Sequence, residues 1–262
     1  MNTLYPLFFL KIPCVLHWGW RLNLTPFSKS RPPLLVPPPT TLIGALAYPL
    51  NRALNLPEAL QEYSGAERLR DVLKYVGLRI DAPLVGYFDL SKISFFYRGE
   101  GRSDAVAVGK TYAVSKRKWQ GFPTITVCYV IDEERARRKL GEKIREELVK
   151  AALGMTRIGS RESLVAPLNA SYGEARLVPQ RRGKTAFSFL RRAISRPPEG
   201  NFINLEVVDW EKCQIGDYSH AEHELMIIPY DVTEHSSKSV DVELSDTHTF
   251  IDVGGELIVA RR

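Results

Sequence analysis

A chain of 262 residues with 44% hydrophobic and 25% charged side chains has the balance of a folded protein, not of a disordered one, and enough length for one elaborate domain or two small ones. The net charge of +6 is laid unevenly: Lys and Arg outnumber Asp and Glu 16 to 8 over residues 1–130 and 16 to 9 over 131–200, but are outnumbered 4 to 13 over 201–262. A basic body before an acidic final part suggests one surface for a polyanion, most commonly nucleic acid, and another for a protein neighbour, although a basic protein with no such ligand is the plainer reading.

The first apolar run, Leu4 to Ile12, is interrupted by Pro6 and Lys11 and falls short of the roughly 20 residues that cross a bilayer. With no basic leader and cleavage site either, a cytoplasmic address without membrane contact is expected. Leu16, Trp18, Trp20, Leu22 and Leu24 alternate with His17, Gly19, Arg21 and Asn23, which predicts a strand. Prolines 26, 32, 33, 37, 38 and 39 then predict a loop, after which Thr40 or Thr41 caps a helix running to Ala53 that Pro49 kinks or shortens. A second amphipathic helix is expected over Ala66 to Tyr75. Strands follow at Gly77–Ile80, Ile93–Tyr97, Ala105–Val108 and Thr124–Ile131. Asp132 caps one long helix, Glu133 to Leu153, with Ala136, Leu140, Ile144, Leu148 and Ala152 as its stripe, ended by Gly154 or Gly159. Beyond a basic stretch come short strands near 203–208, 225–230, 240–244, 249–253 and 257–260, with Gly254-Gly255 as a tight turn between the last two. The order predicts an α+β fold whose first part is a split βαβ, ferredoxin-like sheet with helices on one face.

Two segments carry a resemblance. Pro37-Pro38-Pro39-Thr40-Thr41-Leu42-Ile43-Gly44-Ala45-Leu46, after the first strand, resembles the opening of the CRISPR-associated Cas-five family of the RAMP superfamily. Arg157-Ile158-Gly159-Ser160-Arg161-Glu162-Ser163-Leu164, after the long helix, is similar to a Gly-containing segment of that family. The acidic final third matches no motif. The resemblance implies a ferredoxin-like (RRM-like) RNA-binding domain over 1–180 with an inserted β thumb at about 89–121, and a β-rich C-terminal region over 181–262 packed on it. It also implies a subunit of a type I Cascade-like complex for antiviral defence, nearest the archaeal type I-A branch, that caps the 5′ handle of the CRISPR RNA (crRNA). Its partners would be that handle, the repeating backbone subunit, the large subunit and, through the complex, target DNA.

Single-stranded RNA is held by cations along its phosphates and flat side chains under its bases. Lys116, Arg117 and Lys118 lead into Trp119, with Tyr112 and Phe122 nearby; the plain alternative is a solvated hairpin tip beside core aromatics. Residues 157–196 hold nine Lys or Arg against two Glu, among them Arg157, Arg161, Arg181, Arg182 and Lys184, and Gly183 would let backbone N–H groups approach a phosphate. Lys29 and Arg31 lead to Thr40 and Thr41 at a helix start, an anion-favouring place that also reads as a simple cap. The glycines of Tyr97 to Arg102 lack the Lys-Ser/Thr pair of a P-loop, which excludes nucleotide hydrolysis.

No catalytic constellation stands out. Cys14, Cys128 and Cys213 are odd in number and outside any C-x-x-C pair, so reduced, packed thiols are expected and neither a disulfide framework nor a zinc site. His220 and His223 with Glu222 and Glu224 form only a weak metal pair, read as a solvated acidic loop, and no cofactor or metal is expected. His17 is the one fallback for a metal-independent ribonuclease acting on precursor RNA, since such enzymes activate a 2′-hydroxyl with His, Tyr or Lys. The favoured reading is a non-catalytic RNA-binding subunit; a scaffold touching only protein is the third.

Overall fold

The computed structural model describes residues 6–22, 33–60, 63–97, 100–114 and 121–262. Strand β1 (Leu7–Leu16) takes up the first apolar run; Phe8, Leu10, Ile12, Cys14 and Leu16 join one core and Phe9 another, the period of two expected of a strand buried on both faces. A bend at His17 and Trp18 leads to β2 (Gly19–Trp20), so the single strand expected from Leu16 onward is corrected. The reason lies at Gly19: its φ is +143°, and a Cβ there would stand 1.9 Å from the Thr111 carbonyl oxygen. Only glycine lets the chain turn so close to its neighbour.

Helix α1 (Pro39–Ala53) begins on Pro39 with Pro38 as N-cap and no side-chain cap, so Thr40 and Thr41 lie inside the first turn and not at the cap. Proline's fixed φ suits that turn, where its missing N–H has no intrahelical partner to lose. Pro49 stays within the helix. The helix expected over Ala66 to Tyr75 shrinks to α2 (Glu67–Arg70), because β3 (Leu73–Ile80) takes the rest into the sheet and buries Leu73, Tyr75, Val76 and Leu78. Ladder and burial outweigh a local helical pattern.

Strands β4 (Leu84–Tyr97) and β5 (Glu100–Ala113) pair antiparallel from Leu84↔Ala113 to Tyr97↔Glu100. At about 3.3 Å per residue this hairpin is on the order of 45 Å long, and the two short strands expected at 93–97 and 105–108 are parts of it. After β6 (Thr124–Asp132), Asp132 caps the next helix as expected, its Oδ1 accepting from the Arg135 N–H at 2.9 Å. The expected single helix is two, α3 (Glu133–Leu140) and α4 (Ile144–Leu153), broken at Gly141 with φ +107°.

The basic stretch, where no strand was expected, holds β7 (Val165–Pro167), β8 (Ser171–Val178), β9 (Arg182–Thr185) and β10 (Phe189–Leu190). Then come β11 (Phe202–Val208), β12 (His223–Asp231), β13 (Ser236–Ser237), β14 (Val240–Glu243), β15 (His248–Asp252) and β16 (Leu257–Arg261). Gly254 and Gly255, with φ of +74° and +87°, make the tight turn between the last two, as expected.

Among the described residues the main sheet has seven strands in the order β16-β15-β8-β1-β6-β3, with β7 also on β1 and every pairing antiparallel. The helices cover one face through Leu42, Leu46, Ala136 and Leu148 against Leu10 and Ile12. On the other face Phe9 and Val130 pack with Phe187 and with Ile251 and Ile258, which belong to β15 and β16 of the same sheet. The result is an α+β, sheet-rich body. All three cysteines are buried free thiols, and burial pushes the Cys14 thiol up to about 12. Among the described residues no helix is long and apolar enough to cross a membrane.

Candidate nucleic-acid interface

The two motif segments, about a hundred residues apart in sequence, meet in space. Thr41, Gly44, Ala45 and Tyr48 of α1 and Thr156, Arg157 and Gly159 of the loop after α4 line one groove of about 280 Å³. A Cβ on Gly44 would touch nothing, so the glycine leaves the groove floor open. The loop is fixed from beneath. Gly159, φ +100°, packs where a Cβ would run into the Leu22 side chain, and the fully buried Ser163 accepts from the Arg21 N–H at 3.1 Å and pairs with the Ser160 hydroxyl at 2.9 Å. The Ile158 N–H to Ser163 carbonyl bond (3.0 Å) and the Arg157↔Leu164 bridge close it. These short ties hold Arg157 over α1 and leave Arg161 exposed.

Tyr48 lines the groove and meets two arginines. The Arg157 guanidinium lies 5.1 Å from its ring centroid, and Arg52 lies 5.7 Å from it while donating to the Tyr48 hydroxyl at 2.9 Å. That hydrogen bond raises the Arg52 pKa above its ordinary value. A guanidinium laid on an aromatic ring keeps its donor edge free, so it can hold a phosphate while the ring or its own plane accepts a base.

The loop also reaches the hairpin. Trp18 Nε1 donates to the Glu162 carbonyl at 2.6 Å, and Trp18 meets Tyr112 edge-on with centroids 5.5 Å apart. Tyr112, 43% exposed, stacks on Tyr87 at 4.6 Å and 16°. Contacts between loop, Trp18, Tyr112 and Tyr87 thus link the groove's loop to the base of the β4–β5 hairpin.

The expected site residues distribute unevenly over this picture. Arg157 and Thr41 line the groove, Arg161 flanks it, and Thr40 is buried in the helix. Lys29, Arg31, Lys116, Arg117, Lys118 and Trp119 lie outside the described residues. Arg181, Arg182 and Lys184 lie elsewhere, around β9, and each faces a carboxylate near β14: Arg181 with Asp246 at 2.7 Å, Arg182 with Glu243 at 2.9 Å, Lys184 with Asp241 at 3.6 Å. Gly183 has a packing reason, since a Cβ there would come within 3.0 Å of the Phe250 ring. His17 is exposed at the bend after β1, its N–H bonded to the Leu164 carbonyl at 3.3 Å; among the described residues its ring has no hydrogen-bond or ion-pair partner. His220 and His223 are exposed, and no group of three or more metal-ligating side chains occurs among the described residues. Tyr48, Tyr87 and Arg52 were not singled out from sequence. The usable signal was helical spacing, which puts Gly44, Tyr48 and Arg52 in one row on α1.

No protein-family model matches the chain. Two curated relatives from Saccharolobus solfataricus, named "CRISPR-associated protein Cas5 3" and "CRISPR system aCascade subunit Cas5 1", are each 29% identical over 263 residues, 98% of this chain and 99% of theirs. Among solved structures, that of a CRISPR protein from Archaeoglobus fulgidus matches with a TM-score of 0.68 at 19% identity, covering 97% of this chain and 100% of the other, a likeness of fold.

Proposed function

We propose that this chain, 29% identical over nearly its full length to two Cas5 proteins, is a Cas5-type RNA-binding subunit of a Cascade-type complex and that its groove and hairpin base grip the 5′ handle of the crRNA. The observation that carries this reading is the meeting of the two motif segments around Tyr48 and Arg157. A cation beside an exposed aromatic surface, held by a loop with its own internal hydrogen bonds, suits a splayed single strand.

The fold gives further support. β1, α1, β3, β6, the α3–α4 pair and β8 follow a β-α-β-β-α-β order, with the strands side by side as β8-β1-β6-β3, which supports a ferredoxin-like unit. The β4–β5 hairpin is inserted between β3 and β6 and supports the thumb reading, with its start at Leu84. The unit closes at Val178, in keeping with a division near residue 180 between this domain and the β-rich part. A cytoplasmic address, membership of the archaeal type I-A branch, contact with the backbone and large subunits, and reach to target DNA through the complex belong to the same proposal. So does a non-catalytic role.

The experiment is binding and cleavage of two labelled RNAs, one with the repeat-derived 5′ handle and one scrambled, with chelator present and at several salt concentrations. Handle-selective binding with intact RNA is the expected result. Cleavage that disappears in His17→Ala would replace the proposal with the ribonuclease reading, and absence of RNA binding would leave a protein scaffold.

A further inference from the structure

A second basic groove lies at the far end of the sheet from the hairpin. The hairpin leaves β3 after Ile80 and returns to β6 at Thr124, whereas this groove sits where β3 begins and β6 ends, about 25 Å away along an eight-residue strand. It measures about 450 Å³, and Arg70, Lys74, Arg135, Arg261 and Arg262 line it against two acidic side chains, Asp71 and Glu211.

Both carboxylates are already engaged. Asp71 pairs with Lys139 at 2.5 Å and Arg70 at 3.2 Å, and Glu211 pairs with Arg192 at 3.0 Å and Arg261 at 3.7 Å. Among the described residues, Lys74, Arg135 and Arg262 have no carboxylate partner, unlike the cations around β9. Arg70 is held in place by Glu67, Asp71 and the Glu211 carbonyl. The positive field is felt behind the wall as well: the buried His248 is pushed down to about 4, by burial first and then by Arg192 and Arg261.

We infer that this groove is a second nucleic-acid contact, holding the sugar–phosphate backbone of a strand without regard to its sequence. Cations enter from α2, β3, α3 and β16, so both walls reach a rod of phosphates lying between them, and guanidinium forks match phosphate oxygens. Trp210, the groove's ring, is buried and offers no face for a base. The site therefore holds phosphates and does not read bases.

The test uses the full chain and labelled single-stranded RNA, single-stranded DNA and double-stranded DNA of arbitrary sequence, each titrated at several salt concentrations. Wild type is compared with Lys74→Glu/Arg135→Glu and with the milder Lys74→Gln/Arg135→Gln, and urea unfolding reports whether each variant folds. Charge reversal is expected to weaken binding about tenfold or more and the neutral variant by less. Loss of two contacts is expected to flatten log K against log salt for single strands by about 1.4. The ratio of handle-bearing to scrambled RNA is expected to hold in both variants, which separates this groove from the handle site. The strand type most affected identifies the backbone bound. Unchanged affinity and slope in a folded neutral variant would overturn the inference, as would equal competition by polyglutamate at matched charge.

Discussion

In the loop at 157–164 the first arginine lies over a tyrosine ring and the second faces solvent, whereas around β9 every one of Arg181, Arg182 and Lys184 stands against a carboxylate. In sequence the two segments look alike, and the second is the denser. The fold separates them by bringing the acidic final part back across the basic stretch, β14 pairing with β9 from Val240↔Thr185 to Glu243↔Arg182. Much of the polarity along the chain is thus spent inside the molecule, and free positive charge is left where the acidic strands do not reach.

The largest effect on this comparison is expected at Arg192. It reaches Asp209, Glu211 and Glu224, and although its own burial opposes the charge, Asp209 and Glu211 raise its pKa. The Asp209 side chain is 2% exposed, so Arg192→Ala would leave a buried carboxylate with the Glu211 N–H, 3.1 Å away, and the distant Lys212, 4.0 Å away. Urea unfolding is expected to show a loss of about 3–5 kcal/mol. A loss below about 1 kcal/mol would mean that the acidic part does not depend on this seam.

His248 sharpens the same comparison through pH. Its folded pKa is lowered from 6.5 to about 4, so the unfolded chain binds the extra proton between those values. The neutral ring's contribution is fully present above about 6.5 and is lost as pH falls towards 4, on the order of 3 kcal/mol. His248→Gln is expected to flatten the pH dependence of unfolding over that window, and an unchanged slope would remove His248 from the account.

In RNA binding, Tyr48→Ala is expected to cost about 1–3 kcal/mol, or roughly tenfold, read by anisotropy with handle-bearing RNA. The smallest effect belongs to Arg181→Ala/Arg182→Ala: both arginines are exposed and Glu243 keeps Arg196 at 3.2 Å, so stability should change by less than about 1 kcal/mol and RNA affinity by less than about twofold. A loss as large as that of Tyr48→Ala would put this segment back into the RNA interface.

What could be read from sequence followed how locally each feature is determined. Asp132 capped its helix and Gly254-Gly255 made its turn because a few neighbouring residues decide both. Gly141 was missed because one left-handed residue inside a good amphipathic pattern leaves the stripe intact while breaking the helix. Residues 73–75 joined a strand because β6 lies beside them, a fact no window of sequence contains. The site divided in the same way. Arg157 was visible as part of a motif, but its Tyr48 partner belongs to another element, and the carboxylates that occupy Arg181 and Arg182 lie about sixty residues on.

The most direct measurement is the affinity of wild type and of Tyr48→Ala/Arg157→Ala for handle-bearing and scrambled RNA, with folding checked by urea unfolding. The account predicts that wild type prefers the handle and that the double variant, folded, loses that preference. A double variant that still discriminates between the two RNAs as wild type does would contradict it.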